Sequence, residues 1–226
     1  MHEQIFDRVE KKYLITKRQK DKLSKSIKKH MKKDKYYHSE VVNLYFDTDN
    51  FDLIIQSMER PEFKEKLRAR GYGGYDRVFL EIKTKLRGQE YSSGHKRRIL
   101  LTRKEFDEFA KNSATAAEII SSRSGNSHDI QIALEVDYLV EHLELEPRIL
   151  VIYDRESYKG EDNLRITFDE NLKYRDKNLS FIKGKRDKIY FKDKPSIIME
   201  IKAHGIIPLW LTKIMSEEKV YPQQFS

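Results

Sequence analysis

"KLRARGYGGYDRVFLEIKTK", Lys66 to Lys85, reads as two strands joined by a glycine-rich turn. Side chains in a strand alternate between faces. Lys66, Arg68 and Arg70 therefore share one face of the first strand, and Glu81, Lys83 and Lys85 share one face of the second. The opposite faces carry Leu67 and Ala69, then Leu80 and Ile82. A half-buried strand ordinarily sets an apolar face against a mixed polar one. Here the polar side is a row of cations with one carboxylate among them. Such a sheet either meets solvent with a basic face or encloses something negative.

The pattern recurs along the chain. In "RVEKKY" Arg8, Glu10 and Lys12 share a face, and in "HKRRI" Lys96 and Arg98 do. In "LRITFD" Arg165, Thr167 and Asp169 lie opposite Leu164, Ile166 and Phe168. In "IMEIK" Ile198, Glu200 and Lys202 lie opposite Ile197, Met199 and Ile201. "SEVVNLYFDTD" sets Val42, Leu44 and Phe46 against Asn43, Tyr45 and Asp47. Arg155 of "RILVIYDRESY" breaks the pattern, because it alternates with Val151 and Tyr153; a bulge or a strand end is expected before it.

One arrangement satisfies these strands together: a closed barrel of about eight strands, apolar faces outward under helices and charged faces inward. Like charges about 4 Å apart repel by roughly 4 kcal/mol at an effective dielectric near 20. Such an interior requires water, metal and an anion to fill it. The alternative is an open sheet whose basic face is solvated.

Composition points the same way. The 226 residues carry 45 Lys and Arg against 37 Asp and Glu, a net charge of +8. This balance favours nucleic acid, acidic membranes or polyphosphorylated small molecules as partners. Only 38% of residues are apolar, yet 13 Tyr and 11 Phe supply a core, so disorder is not expected for most of the chain. The absence of cysteine excludes disulfides, thiolate metal sites and a cysteine nucleophile. "MHEQIFDRVEKKY" has no apolar signal core, and runs such as "ILVIY" are too short to span a bilayer. A soluble, cytoplasmic protein is expected, able to associate with a membrane through a partner. Histidines show no HxH or HExxH spacing, and "GYGG" lacks the lysine and following helix of a phosphate loop.

Helices punctuate the strands. Thr16 precedes "KRQKDKLSKSIKKHMKKD", an amphipathic helix with Leu23, Ile27 and Met31 on a narrow stripe. "NFDLIIQSME" is a short helix. Thr102 with Glu105 and Thr115 with Glu118 form capping boxes. "RGQEYSSGH" reads as a turn and "SSRSGNSHD" as a loop. The helix in "IQIALEVDYLVEHLEL" is expected to turn Ile130, Leu134, Tyr138 and Leu145 inward and to end at Pro147. Pro208 opens a last helix with Trp210, Leu211, Ile214 and Met215 available for packing. No repeat or linker is visible, so a single domain over residues 1–226 is expected.

The blocks "RVEKKYLI", "LYFDT", "KLRAR", "LEIKTK", "KRR", "YDRESY", "LRITFD" and "MEIK" occur in an order that resembles the catalytic domain of VTC-type polyphosphate polymerases, within the triphosphate tunnel (CYTH-like) superfamily. No single block is specific; the ordered set covers nearly the whole chain. The resemblance implies an α+β fold with a closed eight-stranded antiparallel barrel, a cationic lumen and helices outside. It implies phosphate contacts by Lys12, Arg68, Arg70, Lys83, Lys96, Arg155 and Arg165, and a divalent metal, Mn²⁺ or Mg²⁺, on Glu200. Alternation adds Glu10 and Glu81 as carboxylates beside the cations, and Lys66, Lys85, Arg98 and Lys202 as supporting charges. The implied activity is transfer of the γ-phosphate of ATP to inorganic polyphosphate, with a membrane protein as a partner. A triphosphatase, or a module that binds polyphosphate or nucleotide without chemistry, would use the same residues. A nucleic-acid binder is disfavoured because the arginines alternate inside strands with glutamates between them. The family continues past a "YPQQFS"-like element into a lysine-bearing tail, and those lysines are expected to be missing here.

Overall fold

The computed structural model describes residues 8–59, 61–74, 76–87, 92–123, 125–181, 187–191 and 196–223, and only the backbone of Arg8, Arg87, Ser92 and Ser93. The start of the first strand candidate at Phe6, the middle of the "RGQEYSSGH" turn and the end of "YPQQFS" lie outside the described residues. Nine strands and six helices form among them: β1 (Arg8–Ile15), α1 (Lys17–His30), β2 (Lys32–Asp47), α2 (Asp52–Met58), β3 (Phe63–Tyr72), β4 (Arg77–Arg87), β5 (Ser92–Thr102), α3 (Arg103–Ala110), α4 (Ala116–Ser122), α5 (Ser127–His142), β6 (Glu146–Lys159), β7 (Arg165–Arg175), β8 (Lys188–Ile189), β9 (Ile197–His204) and α6 (Leu209–Glu217). The short β8 carries no alternation long enough to be read from sequence.

The strands follow the order β1-β9-β7-β6-β2-β3-β4-β5, with β8 on β7. The fold is α+β, as expected, but among the described residues the sheet is not closed by hydrogen bonds, so the expected closed eight-stranded barrel is not supported. Among the described residues no hydrogen-bond ladder joins β1 to β5, the two ends of the path. Alternation reports which face a side chain takes. It carries no information on whether two edge strands pair.

The chain packs as two compact units. Unit 1 comprises residues 1–40, 153–173 and 189–226. Its core gathers Tyr13 and Ile15 of β1, Ile166 and Phe168 of β7, and Ile197, Met199 and Ile201 of β9. Leu23 and Ile27 of α1 and Leu211 and Met215 of α6 close over them. Thr16 caps α1 through a capping box with Gln19, and the basic stretch after His30 is strand, not helix. Met31 is extended at φ −135°, and its N–H closes the last turn on Ile27 at 2.8 Å. Its side chain still completes the apolar stripe, which is why the sequence reads as an unbroken helix.

Unit 2 comprises residues 41–152 and 174–188. Val42, Leu44, Phe46, Leu67, Ala69, Leu80, Ile82, Ile99 and Leu101 face α3, α4 and α5, where Phe106, Phe109, Ile119, Ile120, Ile132 and Val136 meet them. Both expected capping boxes are present. The inward face of α5 is Ile132, Ala133, Val136 and Leu139; Leu134 and Tyr138 are exposed. Two stripes of helical period fit this sequence, and packing selects the one that includes small Ala133. Pro147 does not end the helix. Glu144 does, at φ 51°, with Leu145 N–H bonding Val140 O at 2.9 Å, and Pro147 lies in β6. Much of "SSRSGNSHD" belongs to the ends of α4 and α5, with the loop confined between them. Among the described residues no helix is long and apolar enough to cross a membrane.

Candidate functional site

Each unit presents its own charged strand face. In unit 2 the register sets the charges in cross-strand rows. Lys66 is opposite Lys83, which is opposite Lys96. The next row is Tyr45, Arg68, Glu81 and Arg98, and the row beyond pairs Asn43 with Arg70 and Phe79. Like charges directly opposite one another destabilise a sheet. The row of three lysines beside two arginines concentrates positive charge on this face, with Glu81 as a counter-charge within it.

Glu81 is the hub of this face. Its side chain is 1% exposed and receives Arg68 through Nε at 2.8 Å and Nη2 at 2.7 Å. Lys96 reaches its second oxygen at 3.4 Å and Arg98 at 3.9 Å. Burial alone would raise its pKa, but Arg68, Arg70 and Lys96 outweigh burial and hold the carboxyl below the ordinary range. Arg68 shows the converse. Burial opposes its charge, yet the Tyr45 phenol and Glu81 raise its pKa further. Tyr45 is pushed up by burial and pulled further down by Arg68 and Arg70, ending below the ordinary phenol value. Arg70 donates to buried Asn43 at 2.7 Å, and Arg98 lies over Phe79 at 4.4 Å. Lys85 takes the same face opposite Lys64 and Gly94.

In unit 1 the register brings Glu10, Lys202 and Arg165 into one row, and Lys12, Glu200 and Thr167 into the next. Lys202 Nζ bridges Glu10 at 3.2 Å and Glu200 at 3.4 Å. Burial, then hydrogen bonding to Glu10, raises the Glu200 pKa, only partly offset by Lys202. Arg155 makes two bonds of 2.6 Å to the two oxygens of Asp169 and lies 5.2 Å from the Tyr153 ring centre. No strand end precedes Arg155, since β6 continues to Lys159. Tyr153 and Ser157 share the charged face with it, and Arg155 Nη2 donates to the Tyr153 hydroxyl at 3.4 Å. Counting that tyrosine as apolar made Arg155 look misplaced. Burial opposes the charge of Arg155, but Asp169 and Tyr153 raise its pKa.

The structure thus gathers Lys66, Arg68, Arg70, Lys83, Lys85, Lys96, Arg98 and Glu81 on the unit 2 face, and Glu10, Lys12, Arg155, Arg165, Glu200 and Lys202 on the unit 1 face. The partners Asn43, Tyr45 and Asp169 share the alternation that marked the cations. Tyr153 and Ser157 alternate with Arg155 but carry no charge to mark them, and Asp34 carried no such signal.

A family model described as the VTC domain matches residues 7–226. The vacuolar transporter chaperone complex subunit 4 of Schizosaccharomyces pombe is 26% identical over 144 residues, which are 58% of this chain and 20% of that protein. The matched segment spans about one fifth of that relative's length. Among solved structures, a Hippeastrum protein described as a candidate adenylyl cyclase with a dominant triphosphatase activity superposes with a TM-score of 0.56 at 15% identity, covering 97% of this chain and 92% of that one. A chain of the S. pombe Mediator head module superposes with a TM-score of 0.50 at 9% identity, covering 94% and 90%. At these identities the two structures share the fold, and a fold alone does not fix an activity.

Proposed function

The chain belongs to the VTC domain family, and from that premise we propose that it is a metal-dependent phosphotransferase that moves the γ-phosphate of ATP onto inorganic polyphosphate. The observation that carries this reading is the unit 2 face: Lys66, Lys83 and Lys96 stand opposite one another beside Arg68 and Arg70, with Glu81 among them. A flexible polyanion with several charges per ligand fits such rows. Phosphoryl transfer asks the protein for alignment and charge cancellation more than for covalent chemistry. Arg68 and Arg70, held by Glu81 and Asn43, are fixed forks for phosphate oxygens. Lys83 and Lys96 are movable charges that follow a chain as it shifts. On the unit 1 face Lys12, Arg155 and Arg165 take the same role.

A divalent ion fits Glu200 and Glu10. Glu10 and Glu200 both lie within reach of Lys202 Nζ, at 3.2 and 3.4 Å, and burial with Glu10 nearby makes Glu200 hold its proton more tightly than an ordinary carboxyl. The buried Thr167 hydroxyl, in register with Glu200, has no hydrogen-bond partner among the described residues. Oxygen donors of this kind suit Mn²⁺ or Mg²⁺. When bound, such an ion neutralises phosphate charge. Glu81 fits a metal poorly, because three cations already surround it.

The relative named as a subunit of a complex supports a protein partner for this chain as well. Incubation with ATP and Mn²⁺, followed by separation of long-chain polyphosphate from free phosphate, tests the reading. Polyphosphate is the expected product; free phosphate alone would assign a triphosphatase, and neither product would leave only a binding module. Arg68→Ala or Arg70→Ala should raise the barrier by about 3 kcal/mol, like loss of one oxyanion donor. Near-normal turnover in both variants would remove the unit 2 face from the reaction.

A further inference from the structure

Arg165 is already engaged. Its Nε and Nη2 donate to the Ser157 hydroxyl oxygen at 3.1 and 3.0 Å, and Nη2 also reaches Asp34 Oδ2 at 3.1 Å. Ser157 donates to that same carboxylate oxygen at 3.3 Å. With Ser157 1% exposed, this hydroxyl is a fixed anchor. The Nε–Nη2 edge of an arginine is one that meets an oxyanion with two parallel bonds. Here a serine and a carboxylate of the chain itself hold it.

This contact borders a cavity lined by further polar and basic side chains. Asp34, at the start of β2, lines a cavity of about 410 Å³ with Lys159 from the end of β6, Asn163 from the β6–β7 turn, Arg165 from the start of β7 and His204 from the end of β9. An anion in this space meets Lys159 and His204 as well as Arg165, and it meets Asp34 as a like charge.

We propose that Asp34 is an internal competitor for phosphate at this end of unit 1: it holds Arg165 while the cavity is empty of phosphate and yields it when a phosphate group enters. Asp34 is thereby a positioning residue that sets affinity, and Lys159 and His204 are further contacts for the incoming group. The proposal rests on the phosphate-binding reading of the charged faces. It is distinct from that reading, because a chain can bind phosphate on these faces with Asp34 as a bystander.

Calorimetric titration of inorganic tripolyphosphate into four proteins tests it: the unaltered chain, Asp34→Asn, Arg165→Gln and the double variant. Asn keeps the shape of Asp34 and removes its charge. Asp34→Asn should tighten binding about fivefold, the equivalent of about 1 kcal/mol for a part-exposed ion pair. In the Arg165→Gln background the same change should gain nothing, because competition needs the arginine. An equal gain in both backgrounds would reduce Asp34 to general repulsion and overturn the proposal, and so would no gain in either. Asp34→Ser repeats the comparison should the first variant lose thermal stability. If the unaltered chain binds no tripolyphosphate, the phosphate reading fails and the competitor falls with it; if that chain binds and only the Asp34 effect is missing, the competitor alone fails.

Discussion

Glu81→Gln is the sharpest perturbation of the unit 2 face. The substitution keeps the shape of a side chain that is 1% exposed and removes its charge. Arg68, itself 16% exposed, then loses its countercharge in a largely buried position. Breaking a buried pair from one side costs roughly 3–5 kcal/mol. The contacts from Lys96 and Arg98 are half-exposed and add little. A glutamine carbonyl can still accept from Arg68, so the lower end applies, about 3 kcal/mol. For a chain of this size that lowers Tm by roughly 6–12 °C. The pH dependence has a definite sign. Burial raises the Glu81 pKa, but Arg68, Arg70 and Lys96 more than reverse it, so the folded value lies below the ordinary 4.5. The carboxylate's contribution is complete above that ordinary value and is lost as pH falls through the depressed one. The gap between the two proteins, followed by circular dichroism on heating, should therefore be constant from pH 7 to about pH 5 and close below the ordinary carboxyl range. Saturating tripolyphosphate should also narrow it at pH 7, by supplying Arg68 with another anion. Equal melting temperatures at pH 7, or a gap that persists unchanged into strong acid, would refute the assignment of Glu81 as hub.

Three further outcomes follow from other sites. Glu200→Gln should stabilise the fold at pH 7 in urea titrations; burial and Glu10 raise the Glu200 pKa, so its favourable contribution is complete below the ordinary value and is lost as pH rises through the raised one, and the variant's advantage should vanish below the ordinary carboxyl range. The same variant should lose metal-stimulated turnover. Lys20→Met should destabilise unit 1 by about 3 kcal/mol, since Lys20 is 4% exposed, pairs with Glu156 at 3.1 Å and with Glu170, and its loss leaves both carboxylates without it; unchanged urea midpoints would contradict this. Gly125→Ala should cost about 1–3 kcal/mol, read as a lower Tm, because a Cβ there would lie 2.4 Å from Ile120 Cγ2 and 2.9 Å from the Ile120 carbonyl oxygen.

Alternation was a faithful guide to faces. Val42, Leu44 and Phe46 pack inward, and the hairpin from Lys66 to Lys85 pairs Arg68 with Glu81. The capping boxes at Thr102 and Thr115 were legible because each bond is local. What was not legible depends on distant partners. Arg97 looks like part of a basic run but lies opposite Ile82, on the apolar side, where Glu135 of α5 meets it at 2.5 Å. Lys20 sits in a helix full of solvated lysines, and only the fold brings Glu156 and Glu170 to it. The choice between two apolar stripes of α5, and between an open and a closed sheet, likewise belongs to packing and pairing that no local pattern encodes. The first strand and the candidate metal residue Glu200 were both read correctly as strand, yet nothing local told that Lys12 and Glu200 are register partners.

The pairing of β1 with β9 has a consequence for synthesis. Arg8 is in register with His204 and Ile15 with Ile197, so β1 leaves the ribosome well before the strand it pairs with. At about 5–20 residues per second, roughly ten to forty seconds separate the two. During that interval residues 41–152, which supply most of unit 2, can collapse on their own core, whereas β1 waits with an open edge. Its cationic face, Glu10 apart, then acts as a guard as well as a site: alternating charges along a waiting strand discourage it from pairing with another chain. The residues proposed to hold phosphate in the finished protein would thus also keep the nascent one from aggregating.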